Sequence, residues 1–589
     1  MSLDIQFYSK SRRDFYFKWR IPMTKRFISI VFCVSIAIFL FSSCRGTAPD
    51  EGDFDILITN GRMVDGTGNP IFSGDVGIKG DTIAEIGNLD GKRAAKIIDA
   101  KGLVVSPGFI DMHTHCDDGL SDPESKANLN YLIQGTTTVV TGNCSYGTFE
   151  IAKTKELWEK QGIGTNAIHL VGLGDVRKAV LGVDPREPTQ EEIEKMQSIV
   201  RKAMQEGAWG VSAGLEYIPN RYASTEEVMA LTKIAAEFGG VYSSHQRDEC
   251  SRVPEATEET VRIAEETGIR VNIAHFKVCG KSNWGMLDEA VDVINEARAS
   301  GIQITADMYP YDKAETGYLR EVFLIPNDME PLAGLQNKLE NTRLPAEERQ
   351  KLREQYNDEV IKALKDKEKR EQIKKLTETG SPHDPGPIVM WGWDNIAVMV
   401  ADKNSHLIGK IISDLAQEQG RDAFDVAADI VIDDPDVYHS GGTMSEEEMK
   451  YAMKQDWLMF SSDGEAFPVV TEEDRPRRGH PRSFGSQARV LQRYVREEKV
   501  LPLEDGIRKM TSLPASFLQL KDRGILQKGY KADIAIFDPE TIREHATYAD
   551  ARQYSTGVEY VIVNGKIGIE KGEYTGGLYG KLLLLTENK

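Results

Sequence analysis

Cysteine is scarce in this chain, with six in 589 residues. That excludes a small disulfide-stapled scaffold, which needs dense, paired cysteines in a short sequence. A basic surplus is missing as well. Lys and Arg number 72 against 92 Asp and Glu, for a net charge of -20. The first 43 residues carry seven basic and two acidic side chains, which leaves -25 on the rest. A surface that acidic argues against a nucleic-acid partner, whose phosphates require a basic footprint. Histidine is rare too, at ten residues, so its placement is informative. No short tandem repeat is found, and the length allows two to four domains around a large core.

The apolar run Phe27–Ser43 is 17 residues long and follows Lys25 and Arg26. It is short for a membrane span and fits the apolar region of a signal peptide. It ends Leu40-Phe41-Ser42-Ser43-Cys44. Small residues before a cysteine resemble a bacterial lipobox, in which the cysteine is lipidated and becomes the mature N-terminus. Residues 1–44 are therefore expected to be a leader and lipoprotein-type signal. The expected location is the periplasm or cell envelope, with membrane contact only through the lipid anchor. Residues 1–22 lie upstream of this signal, so Met23 competes with Met1 as the start. Residues 45–53 read as a tether.

From residue 54 to 103, short alternating strands such as Asp55–Ile58 and Thr82–Ile86 are separated by Gly, Asn and Asp, as in a small β module. The same grammar returns at Ala532–Asp538 and Tyr560–Lys566. A β segment split between the two chain ends predicts that residues 54–103 and 521–580 pair as one β-sandwich, with residues 104–520 inserted between them. In that central part, strand and helix patterns alternate. Val104–His115 reads as a strand ending in two histidines. Strands end again at Thr141, Val171, Ser212, His245, His275 and Asp307, with an eighth at Leu458–Ser461. Thr189 and Glu192 form a capping-box signature ahead of Ile193, Met196, Ile199, Val200 and Ala203 at helical spacing. Eight such units make an α/β fold of the (β/α)8 TIM-like barrel type, with its site at the C-terminal ends of the strands. Residues 313–395, charged and helix-prone, read as an insertion between strands 7 and 8 that caps the site.

His113 and His115 are two apart at a strand end, so their rings lie on one face. Cys144, His245, His275 and Asp463 fall at or just beyond other strand ends on the same rim. Imidazole, thiolate and carboxylate are the donors zinc prefers. A metal there makes hydroxide available at neutral pH and polarises a carbonyl. An aspartate beside it can take a proton from water and pass it to a leaving amine. This is machinery for hydrolysing an amide or a related bond.

The order His-x-His, His, His, Asp on a barrel with a split β module resembles the amidohydrolase superfamily. Gly142-Asn143-Cys144 resembles its N-acyl-D-amino-acid deacylase (D-aminoacylase) branch, as do Gly214-Leu215-Glu216-Tyr217, His275-Phe276-Lys277, Tyr309-Pro310-Tyr311, Ser462-Asp463-Gly464 and His480-Pro481-Arg482-Ser483-Phe484-Gly485. Many superfamily members carry a carboxylated lysine after strand 4. Here Trp209–Gly214 holds no lysine, and the deacylases use a cysteine after strand 2 instead. The resemblance covers residues 54–575. It implies a tight Zn2+ held by Cys144, His245 and His275, and a second, weaker site at His113 and His115 near Asp463. It also implies Asp463 as general acid/base. Lys277 and Arg482 would bind the carboxylate of an N-acyl amino acid, and Tyr217 with one of Tyr309 or Tyr311 would position the substrate or the oxyanion. His169 and His480 read as core or supporting histidines, and Cys116 as packing.

The expected reaction is hydrolysis of N-acyl-D-amino acids to a carboxylate and a free D-amino acid. Rival readings are a cyclic-amide hydrolase of the hydantoinase or dihydroorotase kind, a D-residue dipeptidase, and an exported binding protein with a relict metal pocket. Two segments depart from the branch pattern where the substrate's variable parts should bind: Glu465–Gly479, and Asp312–Thr316 after Tyr311.

Overall fold

The computed structural model describes residues 52–339, 346–381, 385–469 and 478–588. Residues 1–51, where the signal and lipobox are expected, lie outside the described residues, as does the middle of the Glu465–Gly479 loop. Among the described residues, no helix is long and apolar enough to cross a membrane.

Eight parallel strands follow one another around the barrel in chain order: Phe109–Asp111, Thr136–Thr141, Asn166–Gly172, Gly210–Gly214, Val241–His245, Arg270–Ile273, Ile304–Met308 and Leu458–Phe460. All their residues are buried, as expected where side chains fill the interior on one face and meet helices on the other. Helices such as Gln190–Glu206, Thr225–Glu237, Val253–Thr267 and Leu287–Ala299 pack outside. Gln190–Glu206 begins at the capping box read from sequence, with both reciprocal bonds formed: Glu192 N to Thr189 Oγ1 at 3.3 Å and Thr189 N to Glu192 Oε2 at 2.8 Å.

The first and eighth strands meet just beyond their ends. Asp463 N donates to His113 O at 2.8 Å and His115 N to Gly464 O at 2.7 Å. Beneath them the buried Asp111 carboxylate accepts from His113 N and Ser462 N, both at 3.1 Å, and from Gln487 Nε2 at 2.7 Å. Burial pushes its pKa up to about 7 against the pull of these bonds.

The two chain ends build one nine-stranded sheet. Its joint is the antiparallel pairing of Val104–Pro107 with Ile534–Phe537, in register Ala535 to Ser106 and Ile536 to Val105. Ile58, Val76 and Ile98 share a core with Ile534, Ile536 and Ile562. The single strand Val104–His115 expected from sequence is in fact two. Val104–Pro107 belongs to the β module and Phe109–Asp111 to the barrel, so the boundary falls at Gly108 instead of at residue 104. A Cβ on Gly108 would lie 2.3 Å from the Thr137 side chain, so the chain crosses between modules where only glycine fits.

The excursion between strands 7 and 8 is larger than 313–395. Lys313–Tyr318, Tyr438–Thr443 and Ala397–Val400 form a three-stranded antiparallel sheet. With helices such as Lys367–Thr379 and Ala423–Asp433 it encloses its own core, including Phe323, Tyr356, Ile373, Phe424 and Val431. Charged helix faces concealed that core in the sequence.

Helix Leu503–Met510 packs against the eighth strand and buries Lys509, whose ammonium donates to the carbonyls of Gln455 and Leu458. Burial lowers its pKa to about 8. The unfolded chain then binds the proton more tightly than the folded one, so stability rises as pH climbs from about 8 to 10.5. Lys509→Met removes this term. Wild type should gain about 2–3 kcal/mol relative to the variant over that window, read as a change in the Tm difference between them at pH 7.5 and pH 10.5. A Tm difference independent of pH would contradict it.

Candidate metal centre

The rim gathers two ligand groups that share Cys144. One is His113, His115, Cys144 and Asp463; the other is Cys144, His245 and His275, with the donor atoms of each group within 4.8 Å of one another. Cys144 Sγ lies 3.2 Å from His113 Nε2 and 3.5 Å from His275 Nε2. His245 Nδ1 lies 2.9 Å from His275 Nε2. Asp463 Oδ1 is 3.0 Å from His115 Nε2 and 3.2 Å from His113 Nε2. All six residues named from the sequence are thus brought together.

Local backbone chemistry aims them. Cys144, His275 and Asp463 adopt left-handed φ of 53°, 34° and 51°, a conformation uncommon for residues with a Cβ and concentrated at functional sites. Before Cys144, Gly142 has φ of 80°, and a Cβ there would meet Leu170 O at 2.1 Å. Asn143 ties the turn down, donating to Val140 O at 3.1 Å and accepting from Ser243 Oγ at 2.8 Å. The Gly-Asn-Cys sequence is therefore a turn that points a thiol inward.

The ring nitrogens facing away from Cys144 meet carboxylates. His275 Nδ1 is 2.8 Å from Glu249 Oε1, His245 Nε2 is 3.4 Å from Glu216 Oε2, and His113 Nδ1 is 3.5 Å from Asp307 Oδ1. A carboxylate behind the outer nitrogen is how metal-ligating imidazoles are oriented. Burial opposes charge throughout, yet opposite charges prevail. His113 and Cys144 attract each other, so the imidazole pKa rises well above its usual value and the thiol pKa falls well below. The hydrogen bond to Asp463 helps raise His115 to about 10, and the Glu249 charge helps raise His245 to about 10. Arg482, His113 and His275 hold Asp463 well below the carboxylate range against its burial. These protons supply positive charge where the thiolate and carboxylates demand it. A divalent cation supplies the same charge, and this donor set fits zinc.

Of the residues expected to bind substrate, Lys277 and Arg482 both lie over the Tyr309 ring, at 5.6 Å and 5.1 Å from its centroid. Lys277 Nζ pairs with Glu249 Oε2 at 2.6 Å, and Arg482 Nη1 with Asp463 Oδ2 at 2.7 Å. Arg482 also donates to Ala314 O at 3.0 Å, so the first strand of the excursion touches the site. Tyr217 is exposed at the rim, its ring 4.5 Å from that of His245. Tyr311 is not brought to the cluster. Its hydroxyl donates to Glu544 at 2.7 Å and its ring packs under Arg489, which leaves Tyr309 as the tyrosine of that pair beside the cations. His480 supports the same wall, 3.0 Å from Lys313 O, and His169 is a buried core residue. Sequence reasoning missed Glu249 and Asp111 and read Asp307 only as a strand end. Glu249 stands four residues after His245 on a loop, a spacing with no signal until the loop folds back.

A model of the Amidohydrolase family matches residues 96–307 and 412–569. The chain is 30% identical to a D-aminoacylase of Alcaligenes xylosoxydans xylosoxydans over 563 residues, covering 91% of this chain and 99% of that protein. It superposes on N-acyl-D-glutamate deacylase from Bordetella bronchiseptica, solved with zinc and a phosphonate inhibitor that mimics the tetrahedral intermediate. That likeness has a TM-score of 0.69 and 28% identity, and covers 90% of this chain and 99% of that one. A D-aminoacylase with a binuclear metal centre, described by one-metal activation and second-metal attenuation, matches with a TM-score of 0.69 and 29% identity, covering 90% of this chain and 100% of that one.

Because Cys144 belongs to both groups, Cys144→Ala should deplete zinc at both positions, whereas His115→Ala should leave one zinc per chain. Metal analysis by mass spectrometry after dialysis against limiting zinc reads the ratio. Glu249→Gln should weaken zinc binding by about 10–100-fold in a chelator competition. Full zinc content in Cys144→Ala would rule out the shared ligand.

Proposed function

We propose, from the fact that this chain belongs to the amidohydrolase family, that it is a zinc-dependent hydrolase of the amide bond of N-acyl-D-amino acids, releasing a carboxylate and a free D-amino acid. The observation that carries the reading is Asp463. It is a carboxyl group at hydrogen-bond distance from His115, paired with Arg482, in a ligand group that shares Cys144 with His245 and His275.

Cys144, His245 and His275 would hold a zinc ion, which would supply Lewis acidity at the scissile carbonyl. His113 and His115 with Asp463 offer a second, weaker position. Asp463 accepts a proton from the attacking water and delivers it to the departing nitrogen, so that amide and water become acid and amine with no net proton change at the residue. Its depressed pKa leaves it without a proton of its own at neutral pH. Lys277 and Arg482 over one aromatic ring form a cationic wall for the substrate's single α-carboxylate, Arg482 with its planar fork. Tyr309 and Tyr217 flank the reacting group. The missing lysine after strand 4 sets this ligand set apart from the lysine-bridged cyclic-amide hydrolases. We also propose that the chain is an exported lipoprotein anchored through Cys44, on the strength of Phe27–Cys44.

Purified residues 45–589 with zinc should hydrolyse N-acetyl-D-amino acids in preference to their L enantiomers, to D-terminal dipeptides and to hydantoins. Cleavage of L substrates only, or of hydantoins only, would defeat the reading. Asp463→Asn should lose about 10²–10⁴ in kcat while retaining zinc, whereas a binding protein has no turnover to lose. For the anchor, Cys44→Ser should move the full chain from the detergent phase to the aqueous phase on Triton X-114 partition. Equal partition of the two forms would refute the anchor.

A further inference from the structure

Cys116 and Cys144 have partners that explain them: Cys144 is in the ligand cluster, and Cys116 Sγ is directed at Asn128 Oδ1 at 3.9 Å. The other two described cysteines lie together. Cys279 N donates to Glu249 O at 2.8 Å, and that carbonyl belongs to the peptide that carries the Cys250 nitrogen. One hydrogen bond and the bonds flanking it therefore separate the two Cα atoms, roughly the 4.4–6.8 Å that a disulfide spans. The neighbouring Cys279 thiol pushes the Cys250 thiol pKa up, and burial adds to it. Both sit in the same apolar cluster, at 4% and 2% exposure. Asp248 Oδ1 fixes the turn beneath Cys250, accepting from Cys250 N at 2.9 Å and Arg252 N at 3.0 Å. Among the described residues, no His, Cys or carboxylate completes a metal-binding group around the pair.

We propose that Cys250 and Cys279 form a disulfide that locks the loop carrying Glu249 to the loop carrying His275 and Lys277. The bond forms by exchange with a low-molecular-weight or protein disulfide. One protein thiolate attacks the donor's S–S bond and expels a donor thiolate. The second protein thiolate then attacks the mixed disulfide and expels the other. Two cysteine thiols are oxidised, the donor disulfide is reduced to two thiols, and the two protons pass to the departing thiolates. Burial places the exchange at a moment of local opening or during folding, and afterwards shields the bond from reductants.

The position gives the link a consequence for the metal centre. Glu249 reaches across this junction to His275 Nδ1 at 2.8 Å and to Lys277 Nζ at 2.6 Å. The disulfide closes a segment containing helix Val253–Thr267 and strand Arg270–Ile273, and so fixes the carboxylate that orients His275. The inference stands on the pair's own geometry and needs neither the proposed substrate nor the proposed export, because its test supplies the disulfide donor.

The zinc-loaded full chain is incubated with oxidised glutathione in sub-denaturing urea, which opens the buried pair transiently. It is then blocked with iodoacetamide under full denaturation and digested for mass spectrometry. The expected product is a cross-linked peptide pair containing Cys250 and Cys279, two hydrogens lighter than its separate halves, with Cys116 and Cys144 alkylated. Zinc loss to a chelator should be several-fold slower in the oxidised protein than after dithiothreitol, and Cys250→Ser should show no such difference. Alkylation of both Cys250 and Cys279, linkage of either to another cysteine, or zinc loss unaffected by the bond overturns the proposal.

Discussion

The barrel closes on very little. Seven of its eight strand junctions are ladders between strands, but the eighth joins chain segments that have already left their strands, through the amides of Asp463 and His115. The residues that complete this seam are the ones that line the candidate metal centre. The buried Asp111 carboxylate beneath accepts from amides on both sides at once, those of His113 and Ser462. Closing the barrel and assembling the His113, His115 and Asp463 corner are therefore one event. A strand slip at the seam would remove both.

Around that seam the centre is over-determined from outside. Asp307, Glu249 and Glu216 each hold one imidazole from behind. Three of the residues pointing inward sit in backbone conformations that cost energy for side chains with a Cβ. Such positions persist only where the surroundings fix them. Here the Asn143 side chain, the Asp307 carboxylate accepting from His275 N at 3.0 Å, and the seam amides do so. The carboxylate shell also explains how a cluster with a thiolate and several carboxylates can be buried: each negative group faces an imidazole, a lysine or an arginine.

What the sequence revealed follows from how each feature is encoded. Strand ends carrying His245 and His275 are local patterns of apolar residues closed by a polar one, and all eight barrel strands were legible from them. The side chains that cluster at the rim were legible because so few histidines exist. Glu249 was not, because its role depends on a loop returning to His275. Nor was the break at Gly108, since one continuous apolar run crosses two sheets and only the Thr137 side chain shows why the chain must turn there. The excursion's extent was hidden because its core is assembled from residues as distant as Phe323 and Val431. Tyr309 and Tyr311 are indistinguishable by spacing. Their partners, Lys277 and Arg482 for one and Glu544 for the other, separate them.

The joint between Val104–Pro107 and Ile534–Phe537 imposes an order on biogenesis. Ser106 pairs across 429 positions of sequence with Ala535. At ribosomal speeds of about 5–20 residues per second, the first half of the β module waits roughly 20–90 seconds for its partner strand to be synthesised. Until then Val104–Pro107 lacks the partner for one of its edges, the kind of surface that recruits other strands. A chain cut short before Ile534 would therefore leave that edge without its partner strand.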